Sequence, residues 1–599
     1  MIVACRPSPD QQRARMALFR TCPPVWALIL LPVLLWLGQY WQRGLWAPDE
    51  ARYAYVAREM RESAPTDGTN GWLVMHVNGD LYPDKPALLF WLINAAASVF
   101  TGGEINGISA RLPSLFGMIL GLWAIARLAQ RWTADPATAW RAVLVTMTAF
   151  LVWQEGGWGR TDALLFGFCL AALHHLFAYN DDDRRWRLLA AYGLLGLGTF
   201  AKGPVALPVV LGSYIAATWA AGEGAKLRRL HWAWGLPVAL APLAAWLAAA
   251  RWIGHGPDEY FRTMFGVKFI GRMLRAEDHA NPIYYYLTHF PVEFLPWTIF
   301  LPAAYVALGA GVLRRRLLGW FLFIFVMFSL FSGKRQMYIL ALYPAAALLV
   351  AAAWPRFGAL PRRWTSTTGW LATGLVLLIG VGGCAGAIAY NVIPADGRLG
   401  LKLAKATAGM DGAALPWRLL ALGVPMLAGG VWLARTLRRE QLSLRWFGRF
   451  AATIFVLLVI AGAVVVPALN PVKAPLALVP EAQRRLAPGQ PIHVYGHQLA
   501  IVPFYVERPG RELRTPEEVE VTLAREKSGI IVFLGRHWAE LAPRLAGRVL
   551  AHPLRIGGKK DMVWVEFPVP AGAAPEAIIP PPVKRGKKAG AAPAVGEGE

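Results

Sequence analysis

LWAPDEARYAYVAREM (residues 45–60), RESAPTDGTN (61–70) and GWLVMHVNGDLYPDKPALLFW (71–91) form one continuous stretch that crowds acids, bases and aromatics between two apolar runs. Asp49, Glu50, Arg52, Arg58 and Glu59 come early in it; Asp84 and Lys85 come late. Such groups are costly near lipid unless they find partners or water. The stretch therefore reads as a loop outside the membrane and as half of an active site, with later loops supplying the rest. Its first part has the spacing of an amphipathic helix lying at the interface. Pro48 precedes that helix, and Asp49 and Glu50 occupy its first turn, where the helix dipole favours acids.

The apolar run Pro86–Phe100 that follows sets the topology. Its roughly 15 residues are short for a membrane span. If it crossed, the basic clusters KLRRL (226–230), RRR (314–316), PRRW (361–364) and RTLRRE (435–440) would all face outside. If it lies at the interface, all four fall on the cytoplasmic side, as the positive-inside rule prefers. The second parity is adopted.

Composition points the same way. The 599 residues are 56% hydrophobic and 16% charged, against roughly 25% charged in a soluble protein. Repeated apolar runs separated by basic clusters mark a polytopic helical membrane protein. The net charge of +24 lies largely in short loops that fix orientation, so it is not a nucleic-acid signal. Cys5, Cys22, Cys169 and Cys384 show neither metal spacing nor a disulfide framework. Arg6, Arg13, Arg15 and Arg20 precede the first apolar run without a clear cleavage site, which favours an uncleaved first helix.

The expected architecture is an all-α polytopic membrane domain with a small C-terminal α/β domain outside. Residues 1–24 form a cytoplasmic N-terminus and 25–470 the membrane domain. Spans are expected near 25–40, 107–130, 138–155, 162–180, 187–201, 204–221, 232–250, 290–311, 316–332, 336–354, 367–390, 415–435 and 449–468, about 13 in all. Residues 471–567 form the α/β domain. There IHVYG, IVPFYV, GIIVFLG and MVWVEF read as strands, TPEEVEVTLARE and HWAELAPRLAGR as helices. Residues 568–599 are rich in Pro, Ala, Gly and Lys and read as a disordered tail.

The outside loops gather the remaining polar groups. EGGWGRTDALL (155–165) brings Glu155, Arg160 and Asp162 to a helix entrance, with glycines that permit close backbone approach. FAKGP puts Lys202 at a bend. The loop 251–289 carries Lys268, Arg272 and Arg275 at near-helical spacing, suited to an anionic headgroup, then Glu277, Asp278 and His279. SGKRQMYILALYP (332–344) gives Lys334, Arg335, Tyr338 and Tyr343. Each has a plain alternative: Asp49 and Glu50 as dipole-facing acids, Lys85 as a snorkelling lysine, Asp162 as a cap, the cations as headgroup anchors. Together they describe a cavity that binds a phosphorylated lipid and performs chemistry beside it. A flippase for a lipid-linked glycan would also want a basic cavity, but it tends to carry internal repeats, and none is visible. A membrane anchor whose work lies in 471–567 is the third class; it predicts tolerance of change at Lys85 and Asp162.

In order, DEARYAYVAREM, NGDLYPDKPALLFWLI, ARLPS, GRTDALL, AKGPVAL, NPIYYY, LPWTIFLP and SGKRQMYILALYP resemble the bacterial lipid-linked-sugar glycosyltransferases, over about residues 25–350. That family includes 4-amino-4-deoxy-L-arabinose lipid A transferase and is related to protein O-mannosyltransferases. The resemblance implies a GT-C-like fold in the inner membrane, a periplasmic active site and a polyprenyl-phosphate sugar donor. It implies lipid A, another glycan or a protein as acceptor, membrane lipids as surroundings, and no nucleic acid. By the same resemblance Asp49 and Asp162 are catalytic acids, and Glu50 and Lys202 lie by the sugar. Lys85, Arg272, Lys334, Arg335 and Tyr338 hold the donor phosphate, and Asp84 with His279 occupies positions where a family member can hold a divalent metal. One position departs: the arginine usual after the histidine is Ala280 here.

Overall fold

The computed structural model describes residues 23–62, 65–133, 135–266, 280–394, 396–407, 410–496, 500–556 and 560–569. They form two compact units. One comprises the chain up to Leu45, Val56–His76 and Leu81–Asn470; the other comprises Trp46–Tyr55, Val77–Asp80 and the chain from Pro471.

Among the described residues, eight helices are long and apolar enough to cross a membrane: Val25–Gln42, Gly107–Thr133, Thr161–Asp182, Trp232–Trp252, Gln336–Ala359, Arg362–Val392, Leu415–Glu440 and Leu444–Lys473. Two of the expected spans are bent pairs instead. Pro136–Met147 and Phe150–Gly156 meet at 73°, and Tyr285–Glu293 and Trp297–Leu308 meet at 100°. Each break satisfies the other. The Phe150 N–H, freed where the first pair bends, donates to the Leu295 carbonyl at 3.0 Å. The Trp297 indole N–H donates to Thr148 Oγ1 at 2.9 Å. Irregular backbone at membrane depth persists only where protein supplies such partners. The three remaining expected spans are helices, at Arg185–Lys202, Pro208–Ala220 and Val312–Leu330, but fall outside that set, so eight of the 13 expected spans are found among the described residues, or ten if each bent pair counts as one.

The packing shows where the first two spans begin and end. Leu88–Phe100 is a helix of 13 residues, too short to cross. Arg111, at the start of Gly107–Thr133, is fully buried. It donates to the carbonyls of Gln39 (3.0 Å), Arg43 (2.8 Å) and Gly44 (2.7 Å). The Arg43 N–H already reaches the Gln39 carbonyl at 3.1 Å, and Arg111 adds a side-chain donor to that last turn and to the two residues after it. The chain thus leaves the first span and enters the next at the same end. Two of the basic clusters, 226–230 and 314–316, meet at the opposite end, where Arg131 pairs with Asp181, Arg229 with Asp183, and Arg316 with Glu223.

Close backbone packing fixes the helix carrying Asp162. A Cβ on Gly117 would lie 2.3 Å from the Ala163 carbonyl oxygen, and one on Gly167 would lie 2.2 Å from that of Gly117. Small residues at both positions let Gly107–Thr133 and Thr161–Asp182 touch along their backbones.

In the second unit a five-stranded sheet has the order β4-β3-β5-β7-β6, with β3 Ile492–Tyr495, β4 Gly510–Leu513, β5 Gly529–Leu534, β6 Leu550–Ile556 and β7 Lys560–Phe567. The strand β3 runs parallel to both β4 and β5, and β7 is antiparallel to β5 and β6. The central β3 and β5 are buried along their whole lengths, as continuous apolar runs predict. Thr515 caps Pro516–Arg525 by accepting from the Glu518 N–H at 3.3 Å. One expectation is corrected: IVPFYV is a helix, Ile501–Val506, not a strand. Pro503 cannot donate to a sheet ladder but suits a helix's first turn. Two strands, β4 and β6, were not expected; each is interrupted or flanked by Pro or Gly.

Candidate functional site

The glycine-rich entrance EGGWGRTD is built by the first span. Three donors on one face of Val25–Gln42 and its exit hold the end of Phe150–Gly156. Trp36 Nε1 donates to the Trp153 carbonyl at 2.8 Å, Tyr40 Oη to Gly156 at 2.6 Å, and an Arg43 guanidinium N–H to Gly157 at 2.7 Å. The glycines are needed for this approach. A Cβ on Gly156 would lie 2.2 Å from the Trp36 ring, and one on Gly157 would lie 2.2 Å from Gln39 Oε1. The next residues then turn into Thr161–Asp182. There the Arg160 N–H donates to Ser114 Oγ at 3.1 Å, and that hydroxyl also bonds the Arg160 carbonyl at 3.2 Å.

On this frame charged groups converge. Glu155 is fully buried and pairs with Arg160 at 3.1 Å. The Arg160 guanidinium lies 4.0 Å from the centroid of the Trp158 ring, and that of Arg43 lies 5.0 Å from it. Asp162, in the first turn of its helix, pairs with Lys202, the last residue of Arg185–Lys202. Gly203, at φ 90°, ends that helix, a conformation glycine adopts without strain. The Lys202 ammonium also lies 4.9 Å from the Tyr338 ring centroid. Glu155 is within electrostatic reach of Arg160, Asp162, Lys202 and Arg335. The structure therefore joins Asp162, Lys202, Arg335 and Tyr338 into one cluster, with Glu155 and Arg160 at its base.

Lys334 is placed differently from a bare phosphate ligand. It is 4% exposed, and its ammonium donates to the Asn281 carbonyl at 2.9 Å and to that of Phe331. Asn281 returns a bond to the Lys334 carbonyl at 3.2 Å. Burial holds the Lys334 pKa below its ordinary value. Lys334 thus ties the segment after residue 280 to the turn before Gln336–Leu342.

Asp84 is buried and Lys85 half-buried, just before Leu88–Phe100. Asp84 lies within electrostatic reach of Tyr260. Lys268, Arg272, Arg275, Glu277, Asp278 and His279 lie outside the described residues, so the expected phosphate ligand Arg272 and the metal pair Asp84–His279 are not placed. Among the described residues no group of three His, Cys, Asp or Glu side chains is arranged to hold a metal ion.

Asp49 and Glu50 belong to the second unit. Both are buried at the start of Asp49–Glu62. Asp49 pairs with Arg52 at 3.0 Å, and Glu50 Oε2 accepts the Trp46 N–H at 3.3 Å. The adjacent acids thus have separate partners, as positions about 100° apart on a helix must. The helix is buried on nearly every side rather than half-wet.

Sequence reasoning passed over Glu293. It is 3% exposed, accepts from Tyr343 Oη at 3.4 Å, and lies within electrostatic reach of Glu155. Its available signal was an acid inside an apolar run, which alone marks a functional candidate.

The fold is that of a polytopic helical membrane protein. The fold matches the crystal structure of ArnT from Cupriavidus metallidurans bound to undecaprenyl phosphate. The TM-score is 0.68 at 20% identity, over 93% of this chain and 98% of that one. Residues 84–248 match the family model described as dolichyl-phosphate-mannose-protein mannosyltransferase. Two similar proteins are undecaprenyl phosphate-alpha-4-amino-4-deoxy-L-arabinose arabinosyl transferases. That of Edwardsiella ictaluri is 30% identical over 60% of this chain, and that of Pectobacterium atrosepticum 32% over 54%. The matches span 63% and 58% of those relatives' lengths. The chain is thus similar to these transferases over somewhat less than two thirds of their length, and it shares the fold of ArnT.

Proposed function

We propose that this protein is an inner-membrane glycosyltransferase that moves a sugar from a polyprenyl-phosphate donor to a periplasmic acceptor. Aminoarabinose and lipid A are the first pair to test. The observation that carries the proposal is the Asp162–Lys202–Tyr338 cluster, at the end of the bundle opposite the Arg131–Asp181 and Arg229–Asp183 pairs. The family-model match, 84–248, contains Lys85, Asp162 and Lys202, and the relatives' names supply the donor and sugar.

In the proposed reaction the bond between the anomeric carbon and the donor phosphate oxygen breaks, and a bond from that carbon to the acceptor oxygen forms. The polyprenyl phosphate leaves with the bonding pair. Lys85, Arg272, Arg335 and Tyr338 stabilise the charge that develops on it. Lys334, with two of its ammonium protons committed to carbonyls, keeps one for the phosphate and fixes the neighbouring segments. Asp162 and Lys202 hold each other beside the sugar, with Glu50 as a further sugar contact. A hydroxyl acceptor needs a base, and Asp49 is assigned that role. A phosphate acceptor is already anionic; Asp49 then orients the sugar and stabilises positive character at the anomeric carbon.

The test is transfer by the purified full chain from undecaprenyl-phosphate-aminoarabinose to lipid A, read by mass spectrometry, with Asp49→Asn alongside. Wild type should add the aminoarabinose mass and the variant should lose about a hundredfold or more in rate. Full transfer by Asp49→Asn would overturn the assignment. An inactive wild type would send the search to other surface glycans and periplasmic glycoproteins of a deletion strain.

A further inference from the structure

The second unit is assembled from the C-terminal domain and two pieces of the first outside loop, Trp46–Tyr55 and Val77–Asp80. The loop pieces meet the domain along one strand. In the sheet order, β4 is an edge, and an edge leaves one row of backbone groups without ladder partners. The outward N–H of Gly510, the first residue of β4, donates to Tyr55 Oη at 2.8 Å. Tyr55 is 3% exposed and lies on the helix Asp49–Glu62.

A short hairpin sits against the start of this edge and reaches just past its end. β1 (His76–Val77) and β2 (Asp80–Leu81) are joined by Asn78 at φ 56° and Gly79 at φ 79°, the conformation a two-residue Asn-Gly turn requires. A Cβ on Gly510 would lie 2.2 Å from Asn78 Oδ1, so the turn sits against the strand with room for glycine alone. Past the end of β4, Arg514 pairs with Asp80 at 2.8 Å. Asp80 and Glu512 both act electrostatically on Arg514 and hold its guanidinium in the charged form.

We propose that the C-terminal domain positions the catalytic helix: through Tyr55–Gly510, Asn78–Gly510 and Asp80–Arg514, its edge strand fixes the segment that carries Asp49 and Glu50. Tyr55, Gly510, Asp80 and Arg514 are positioning residues. They touch neither donor nor acceptor, and act by setting where Asp49 stands. The inference rests on the proposed transfer reaction and on Asp49 acting in it. It gives the domain a role in turnover and not only in stability.

The experiment uses the full chain, purified in detergent, with donor and acceptor lipids. It compares wild type, Tyr55→Phe, Arg514→Asp and the charge swap Asp80→Arg/Arg514→Asp. For each, kcat, donor KM and the melting temperature are measured. Arg514→Asp sets three acids together and should lower kcat by about tenfold, with donor KM within about twofold, since small misplacements of a reacting group cost rate steeply. Tyr55→Phe should lower kcat by about threefold to tenfold. The swap should return kcat to within about threefold of wild type. Wild-type kcat in Arg514→Asp, with only the melting temperature reduced, overturns the inference. So does a swap that restores the melting temperature but not kcat. A wild type with no transfer at all instead counts against the glycosyltransferase reading itself.

Discussion

Replacing Lys202 by Met removes one charge from a pair that is almost dry. The side chains of Lys202 and Asp162 are 12% and 11% exposed. Removing one partner of a buried pair leaves an uncompensated charge and costs about 3–5 kcal/mol. Loss of the ammonium over the Tyr338 ring adds about 0.5–2 kcal/mol. Removing both charges is different, because a neutral pair of similar volume is often as stable as the ion pair it replaces. Lys202→Met should therefore melt well below wild type, and Asp162→Asn/Lys202→Met should recover most of that loss. Activity should not follow. If these groups act on the sugar, the double variant will be folded and still slower by about two orders of magnitude, as expected for losing a positioned catalytic group. The assay pairs thermal unfolding of the detergent-solubilised chain with initial rates of lipid-to-lipid transfer. A double variant that regains both stability and rate would show that the pair only holds two helix ends together. A Lys202→Met variant as stable as wild type would show that the desolvation argument is wrong.

Two further predictions concern the frame. Arg111→Met removes the buried guanidinium that donates to the carbonyls of Gln39, Arg43 and Gly44, hydrogen bonds to a charged group worth about 1.5–3 kcal/mol each. It should lower the melting temperature sharply, with Arg111→Lys intermediate. Gly117→Val should prevent accumulation of folded protein, because its Cβ would lie 2.3 Å from a backbone oxygen, whereas Gly193→Ala, which meets nothing within 4 Å, should accumulate normally by immunoblot of membranes.

The inferred topology rests on two physically separate signals. The charge of four clusters favours one parity, and the short run Pro86–Phe100 allows it. Arg111 then shows both neighbouring spans ending together. The Asp162–Lys202–Tyr338 set was legible as three motifs but not as contacts, since nothing in a linear sequence joins positions so far apart. The hairpin HVNGDL was legible in principle: Asn-Gly between short apolar pieces is a strong turn signal. It was overlooked because the surrounding residues read as an interfacial loop. IVPFYV misled for a related reason. Its β-branched and aromatic content outweighed Pro503, although the proline forbids a central strand.

What was not read was the pair of bends. Periodicity reports the apolar face of a helix but not where its axis turns, so 138–155 and 290–311 looked like ordinary spans. Neither break lies at a glycine; the second holds Pro296, a helix-breaking signal that was passed over. The first is stabilised from a distance, by the Leu295 carbonyl and the Trp297 indole, and those partners come from the second break. The consequence falls on the site. Each bend leaves an acid at the end of its short helix, Glu155 in one and Glu293 in the other. Both acids are buried, and each has one carboxyl oxygen with no hydrogen-bond partner among the described residues. Straight helices would have left these acids as isolated charges in an apolar run, an arrangement too costly to keep without partners. Bent, they are brought within electrostatic reach of each other, and Glu155 within reach of Asp162 and Lys202. The bends are therefore what convert two improbable acids in the sequence into the base of a charged site.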